Sequence, residues 1–241
     1  MPWTTNRPYA CYPSEDQQGD YGTPEPPFKP RGSLVWLVRA VAFTVFLLLV
    51  LVSGPRVSAA EIRQLDEAWI PTTDGSAQPT EAWSEFCKRL PAECSINPAE
   101  PATIQLNKRV WKAIVATNTL VNSTVKPRED IDHWSVADRW DYPDDGYGDC
   151  EDYQILKRRL LVEAGLPRRA LRMVVVLDEL GQGHAVLVAR TDQGDFILDN
   201  KRDAVLPWHR TGYVYIKSEG DQSLAWVALG NQVAATSAIN W

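Results

Sequence analysis

Between residues 150 and 229 the hydrophobic period changes once, from that of a helix to that of strands, and does not change back. Over residues 150–164 the apolar side chains Tyr153, Leu156, Leu160, Leu161 and Ala164 share one side, which leaves Lys157, Arg158 and Glu163 toward water. Gly165 and then Leu166-Pro167 end that helix. Five short runs rich in apolar residues follow, at 171–177, 184–190, 195–198, 213–217 and 224–229. Glycines and acidic residues fill 178–183 and 191–194, where hairpin turns are needed. Connections this short join antiparallel strands, so the pattern predicts an α+β domain with helices packed on an antiparallel sheet.

The region before residue 150 reads as helical and looped. Residues 71–80 form a turn-rich connector, 81–90 a short helix carrying Trp83, Phe86 and Cys87, and 103–122 a helix with Trp111, Ile114, Val115, Leu120 and Val121 near a 3.6-residue period. Residues 123–149 hold two prolines and seven aspartates, a long loop that Trp134, Trp140, Tyr142 and Tyr147 should pin to the domain. Trp140 or Trp134 is placed to shape a substrate groove. Ten Trp and eight Tyr in 241 residues supply anchors for a sizeable core.

The N-terminus is a targeting signal before it is a fold. Residues 34–52, LVWLVRAVAFTVFLLLVLV, are apolar except for Arg39 and Thr44, and Val57-Ser58-Ala59 offers small residues where a signal peptidase reads. Residues 34–59 are therefore either a signal peptide cleaved after Ala59 or a retained single-pass anchor spanning 34–52. Residues 1–33, rich in Pro, Tyr and Gly, are a disordered leader, a cytoplasmic tail, or a consequence of a start codon assigned too early. Residues 60–241 then form a single domain in the periplasm or outside the cell, tethered to the inner membrane if the anchor is kept.

Cysteine usage fits an oxidising compartment. Cys87 and Cys94 are seven residues apart around Pro91, which suits a local disulfide; two free buried thiols are the alternative. With Cys11 in the leader, that pairing leaves Cys150 over as a candidate reactive thiol.

Cys150 stands at the start of the helix that precedes the strands. Asp149 is placed to cap it, and the unpaired N–H groups and positive end of a helix stabilise a thiolate in the first turn. Glu151 and Asp152 oppose that effect and need another role: capping, an ion pair or a cation. His184 opens one strand run and Asp199 closes the next; a hairpin centred on residues 191 and 192 sets them opposite each other. Thiol, imidazole and carboxylate then supply nucleophile, base and orienter, with the Cys150 N–H and one neighbouring donor as the oxyanion site.

Gly148-Asp149-Cys150-Glu151-Asp152-Tyr153, the run Leu171 to Val176, Gly183-His184-Ala185-Val186-Leu187 and Leu198-Asp199-Asn200 together resemble the bacterial transglutaminase-like cysteine proteinase family. The resemblance covers roughly residues 66–229. It implies a papain-like or transglutaminase-like core, Cys150, His184 and Asp199 as catalytic residues, and a protein substrate of the kind represented by a large surface adhesin. It also implies calcium near the catalytic helix. Asp149, Glu151, Asp152 and Asp138 are available for Ca²⁺, which takes six to eight oxygens, although no EF-hand spacing is present.

Other readings are weaker. Twenty-five Lys and Arg against 31 Asp and Glu give a net charge of −6, unsuited to a phosphate-backbone binder, so no nucleic-acid partner is expected. His133 lies between Asp132 and Trp134, far in sequence from another histidine, and Asp130 and Asp132 read as a polar turn. His209 reads as an exposed loop residue, and Lys157-Arg158-Arg159 as ordinary basic surface. The rivals to proteolysis are acyl transfer or amide hydrolysis by the same three groups, as in a transglutaminase or amidase, and a non-catalytic interaction domain. Substrate identity and oligomeric state leave no mark in the sequence.

Overall fold

The computed structural model describes residues 68–220 and 225–230. The leader, the apolar stretch 34–52 and the cleavage motif at 57–59 lie outside them. The chain divides into two units, and the described residues all belong to the one that includes Glu67–Trp241. Among the described residues no helix is long and apolar enough to cross a membrane.

Seven strands build the main sheet. In chain order they are β1 (Thr72–Ala77), β4 (Leu171–Leu177), β5 (Gly183–Thr191), β6 (Gly194–Leu198), β7 (Leu206–Pro207), β8 (Val214–Glu219) and β9 (Trp226–Leu229), arranged spatially as β1-β9-β8-β4-β5-β6-β7 with every pair antiparallel. Two-residue strands β2 (Lys126–Pro127) and β3 (Tyr147–Gly148) pair in parallel to each other. The helices are α1 (Glu81–Arg89), α2 (Pro91–Cys94), α3 (Lys108–Thr124), α4 (Asp130–His133) and α5 (Cys150–Glu163). Most lie close to the runs expected from periodicity, and the fold is α+β as expected.

The central strands are covered on both faces, and their side chains divide by alternation. Leu171, Met173, Leu187, Ala189 and Leu198 join Ile155 and Leu161 of α5, Ile114 of α3, and Trp83 and Phe86 of α1 in one core. Val174, Val176, Val186, Val188 and Ile197 pack on the opposite side with Tyr213, Tyr215 and Leu229. Double coverage explains why these strands read as near-continuous apolar runs.

Three expectations are corrected. Residues 72–77 are not part of a connector but an edge strand: Thr72 pairs with Leu229 and Ala77 with Trp226, with a register irregularity between Thr72 and Ser76. The Asp74-Gly75 turn signal marks that irregularity, and the open edge of β9 supplies the backbone partners that local propensity could not foretell. Lys157 and Arg158 do not face water. Helix α5 packs against the sheet on one side and, through Tyr153 with Leu156 and Leu160, against Val121 and Val125 on the other, so both residues are buried. Arg158 donates to Glu219 Oε2 at 2.7 Å, while Glu219 also accepts the Met173 N–H at 2.9 Å. Finally, Trp140 is a core residue, packed among Trp83 and Trp226, and is unavailable to a groove. Trp134 is partly exposed, stacked on His133 with ring centroids 4.0 Å apart.

Candidate active site

The start of α5 is built by a tight approach. Strand β3 delivers Gly148, whose backbone lies so near the next turn that a Cβ there would sit 2.7 Å from the Asp152 Cβ. Asp152 folds back to accept the Asp149 N–H at 3.4 Å and also takes the Asp141 N–H at 2.8 Å. These bonds fix Asp149 as N-cap and Cys150 as the first helical residue, almost fully buried.

Cys87 and Cys94 form the expected disulfide, with Cα atoms 5.5 Å apart. Cys150 is not the leftover thiol that elimination predicts: it too is disulfide-bonded. Only its reduced form can attack. Its Sγ is 3.3 Å from Glu151 Oε2.

His184 and Asp199 meet at the end of the β5–β6 hairpin. The register sets Thr191 against Gly194 and Leu187 against Leu198, so Asp199 falls beside Val186 and not opposite His184, two residues from the expected pairing. A shift of two preserves the face, and the pair meets diagonally with His184 Nε2 2.9 Å from Asp199 Oδ1. Both residues are about 1% exposed, which makes this a desolvated pair. Asp199 also accepts the Lys201 N–H at 2.9 Å and the Tyr213 hydroxyl at 2.6 Å, and the Tyr213 ring meets the imidazole edge-on. Tyr213 escaped the sequence reading because an aromatic at a strand start looks like core.

Burial lowers the His184 pKa despite the neighbouring carboxylate, so the ring is neutral at neutral pH. Burial works against ionised Asp199, but the attraction of His184 and hydrogen bonds from His184, Tyr213 and Lys201 overcome it and hold the carboxyl well below the usual range. An ionised carboxylate only accepts, so Nε2 carries the imidazole proton. Nδ1 is then the lone-pair nitrogen; it is buried and has no hydrogen-bond partner among the described residues. Such a ring is an oriented base.

Cys150 reaches this region along α5, which packs on β5. One turn below it, Gln154 donates to Asn200 Oδ1 at 3.2 Å, tying the helix to the residue after Asp199.

Carboxylates crowd the other side of Cys150. One oxygen each from Asp130, Asp149 and Glu151 lie within 4.8 Å of one another, and all three residues are buried. Burial raises Asp130 to about 6. Burial together with Asp130 raises Asp149 to about 7, and Glu151 is pushed well above its ordinary value by burial and then by Asp149. Asp130 Oδ1 and Asp149 Oδ1 are buried without hydrogen-bond partners among the described residues. Hard oxygen donors with orphaned lone pairs suit a divalent cation such as Ca²⁺. In the sequence Asp130 looks like part of a polar turn; nineteen residues separate it from Asp149, and the β2–β3 pairing brings the two segments together. Asp152, by contrast, spends both oxygens on backbone N–H groups. Asp138 is hydrogen-bonded to Glu151 and Trp140 and raised by burial, at the margin of the cluster.

The other histidines are accounted for. His133 Nε2 pairs with Asp145 at 2.8 Å, and His209 is exposed, as expected.

The sequence model of the bacterial transglutaminase-like cysteine proteinase family matches residues 72–234. No curated protein matches the chain. Among solved structures, the chain is similar to Legionella pneumophila LapG at 27% identity, covering 49% of this chain and 69% of that one, with a TM-score of 0.43. The EGTA-treated form of LapG is 25% identical over 50% of this chain and 71% of that one, with a TM-score of 0.42. The calcium-bound form is 24% identical over 63% of this chain and 82% of that one, also with a TM-score of 0.42.

Proposed function

The chain belongs to the bacterial transglutaminase-like cysteine proteinase family and is a protease, and from that premise we propose that Cys150, His184 and Asp199 carry out the cleavage. The observation that carries this reading is the desolvated His184–Asp199 pair, whose other imidazole nitrogen is left as a base. In the reduced protein His184 Nδ1 takes the Cys150 proton, and the thiolate attacks the scissile carbonyl carbon. Asp199 stabilises the imidazolium through Nε2–H. The oxyanion that forms is held by the Cys150 N–H with one neighbouring donor. On collapse the C–N bond breaks and the imidazolium gives its proton to the departing amine, leaving a thioester. Water, deprotonated by the same ring, attacks the thioester, releasing the acid and the thiol.

The core that supports this chemistry is papain-like or transglutaminase-like, with the nucleophile at a helix start packed on an antiparallel sheet. Asp130, Asp149 and Glu151 would hold Ca²⁺. Bound there, the ion supplies positive charge that offsets the carboxylates flanking the thiol. Following the family resemblance, the substrate is a large surface adhesin and the enzyme works in the periplasm, released or tethered through residues 34–52.

The reduced enzyme and its Cys150→Ala variant, each incubated with membrane extracts, test this by mapping new protein termini. Termini should appear only with the intact thiol, vanish with a calcium chelator and return with added Ca²⁺. Identical terminus maps from the two proteins would sink the assignment.

A further inference from the structure

We propose that Asn118 and Asn122, on successive turns of α3, are positioning residues that clamp the 199–203 turn and thereby aim Asp199 at His184. The inference rests on the reading of His184 and Asp199 given above. Residues 199–203 leave the end of β6 without a ladder partner, so their carbonyls need donors from elsewhere. Asn118 Nδ2 donates to Arg202 O at 3.1 Å and Asp203 O at 3.0 Å. Asn122 Nδ2 donates to Asp199 O at 2.9 Å, Arg202 O at 3.2 Å and Asp203 Oδ1 at 3.0 Å.

The clamped turn supplies part of the environment of the Asp199 carboxylate. The Lys201 N–H bonded to Oδ1 belongs to it, and so does Arg202, whose Nε is 3.8 Å from Oδ2. Movement of the turn would move the carboxylate and two of its partners together.

The choice of asparagine is informative because it breaks a local rule. Ile114, Asn118 and Val121 form the buried stripe of α3, and an apolar residue at 118 would satisfy the helical period. Instead an amide is fully buried, and Asn118 Oδ1 and Asn122 Oδ1 have no partners among the described residues. Leaving buried acceptors unmet costs stability. Rules broken in this way concentrate at functional sites, and here the donors all point at the turn that carries Asp199.

The test uses full-length, ¹⁵N-labelled protein reduced with a water-soluble phosphine. Two quantities are read: the imidazole ¹⁵N shifts of His184, assigned by their loss in His184→Gln, and the rate at which iodoacetamide alkylates Cys150, followed by peptide mass. In folded Asn118→Leu and Asn122→Leu proteins, His184 should pass from the single Nε2–H tautomer to a mixture, and alkylation should slow by about tenfold. Asn122→Ser, which retains a hydroxyl donor, should recover part of both. Should the leucine variants fail to fold, Asn122→Ser against Asn122→Ala supplies the same comparison. An unchanged tautomer together with an unchanged alkylation rate overturns the proposal. Unselective labelling of Cys150 in the wild-type protein counts instead against the thiol-protease reading, and the His184 tautomer still reads the clamp.

Discussion

Tyr213 donates its hydroxyl to Asp199 Oδ2 at 2.6 Å while its ring stands edge-on to His184, with centroids 5.7 Å apart. One side chain thus packs against the candidate base and bonds to its orienter. Tyr213→Phe keeps the ring contact but deletes both the donor to Asp199 and the acceptor of Arg202 Nη2 at 3.1 Å, leaving a buried carboxylate oxygen whose remaining neighbour among the described residues is Arg202 Nε at 3.8 Å. An unmet buried acceptor of this kind costs about 1–3 kcal/mol. Urea unfolding at neutral pH should show a loss in that range, and the cleavage rate should fall several-fold through kcat. A variant as stable and as active as wild type would show that the hydroxyl is dispensable.

Gly148 admits no side chain because Asp152 occupies the space. Gly148→Ala must push Asp152 away from the Asp149 and Asp141 N–H groups that it caps. Overpacking of this kind costs about 1–3 kcal/mol. Thermal unfolding should show the loss, and Asp152→Ala added to Gly148→Ala should not deepen it by the full cost of either change alone.

The alternation of helix and strand was legible because burial and period agree there. Strands β4, β5, β6, β8 and β9, helix α5 and the His184–Asp199 hairpin lie close to the runs that periodicity marks. The two-residue error in hairpin register did no harm, since side chains repeat every two residues along a strand. What was hidden depends on contacts between distant segments. β1 exists because β9 offers an edge, Asp130 joins Asp149 because β2 pairs with β3, and Lys157 is buried because α3 covers the second side of α5. Tyr213 and the two asparagines of α3 carry ordinary side chains whose roles arise only from what they touch.

Lys157 is fully buried, and its Nζ has no hydrogen-bond partner among the described residues. Burial lowers its pKa from 10.5 to about 7, with Asp199 and Asp203 opposing the shift. Between about pH 7 and 10.5 the unfolded chain holds a proton that the native state does not, so this residue makes stability rise with pH across that window. Lys157→Met removes the cost of burying the amine and should stabilise the protein at pH 7 by about 2–4 kcal/mol. The gain should shrink toward pH 10. Urea titrations at several pH values check both the sign and the slope.

His184 titrates in the opposite part of the range. Its native pKa lies below the ordinary 6.5 because of burial, so as pH falls below about 6.5 the unfolded state binds a proton first and stability declines. Asp199, held low by His184, Tyr213 and Lys201, adds stability that is complete above its ordinary value of 3.8 and is lost as pH falls below it. His184→Gln should flatten the first decline and leave the loss below pH 4 in part. Activity of the wild-type enzyme should hold through neutral pH and drop on the acid side, where the ring gains its proton. A profile that drops only on the alkaline side would contradict a neutral His184 as base.

Asp130 and Asp152 lie near the same helix start, and the proposed cation site and the helix cap divide between them. The Asp130 carboxylate stands with those of Asp149 and Glu151 and leaves Oδ1 without a partner among the described residues. Asp152 uses both oxygens on backbone N–H groups. Calcium at about 100 times its dissociation constant should stabilise the wild-type protein by about 2.7 kcal/mol. Asp130→Asn removes one like charge from the cluster, so the metal-free protein should be as stable as wild type or more so, while the calcium-dependent increase should be lost. Asp152→Asn should do the reverse, lowering stability in chelator and retaining most of the increase. Thermal unfolding of the three proteins in EGTA and in Ca²⁺ reads both effects. Equal calcium shifts in wild type and Asp130→Asn would remove Asp130 from the site.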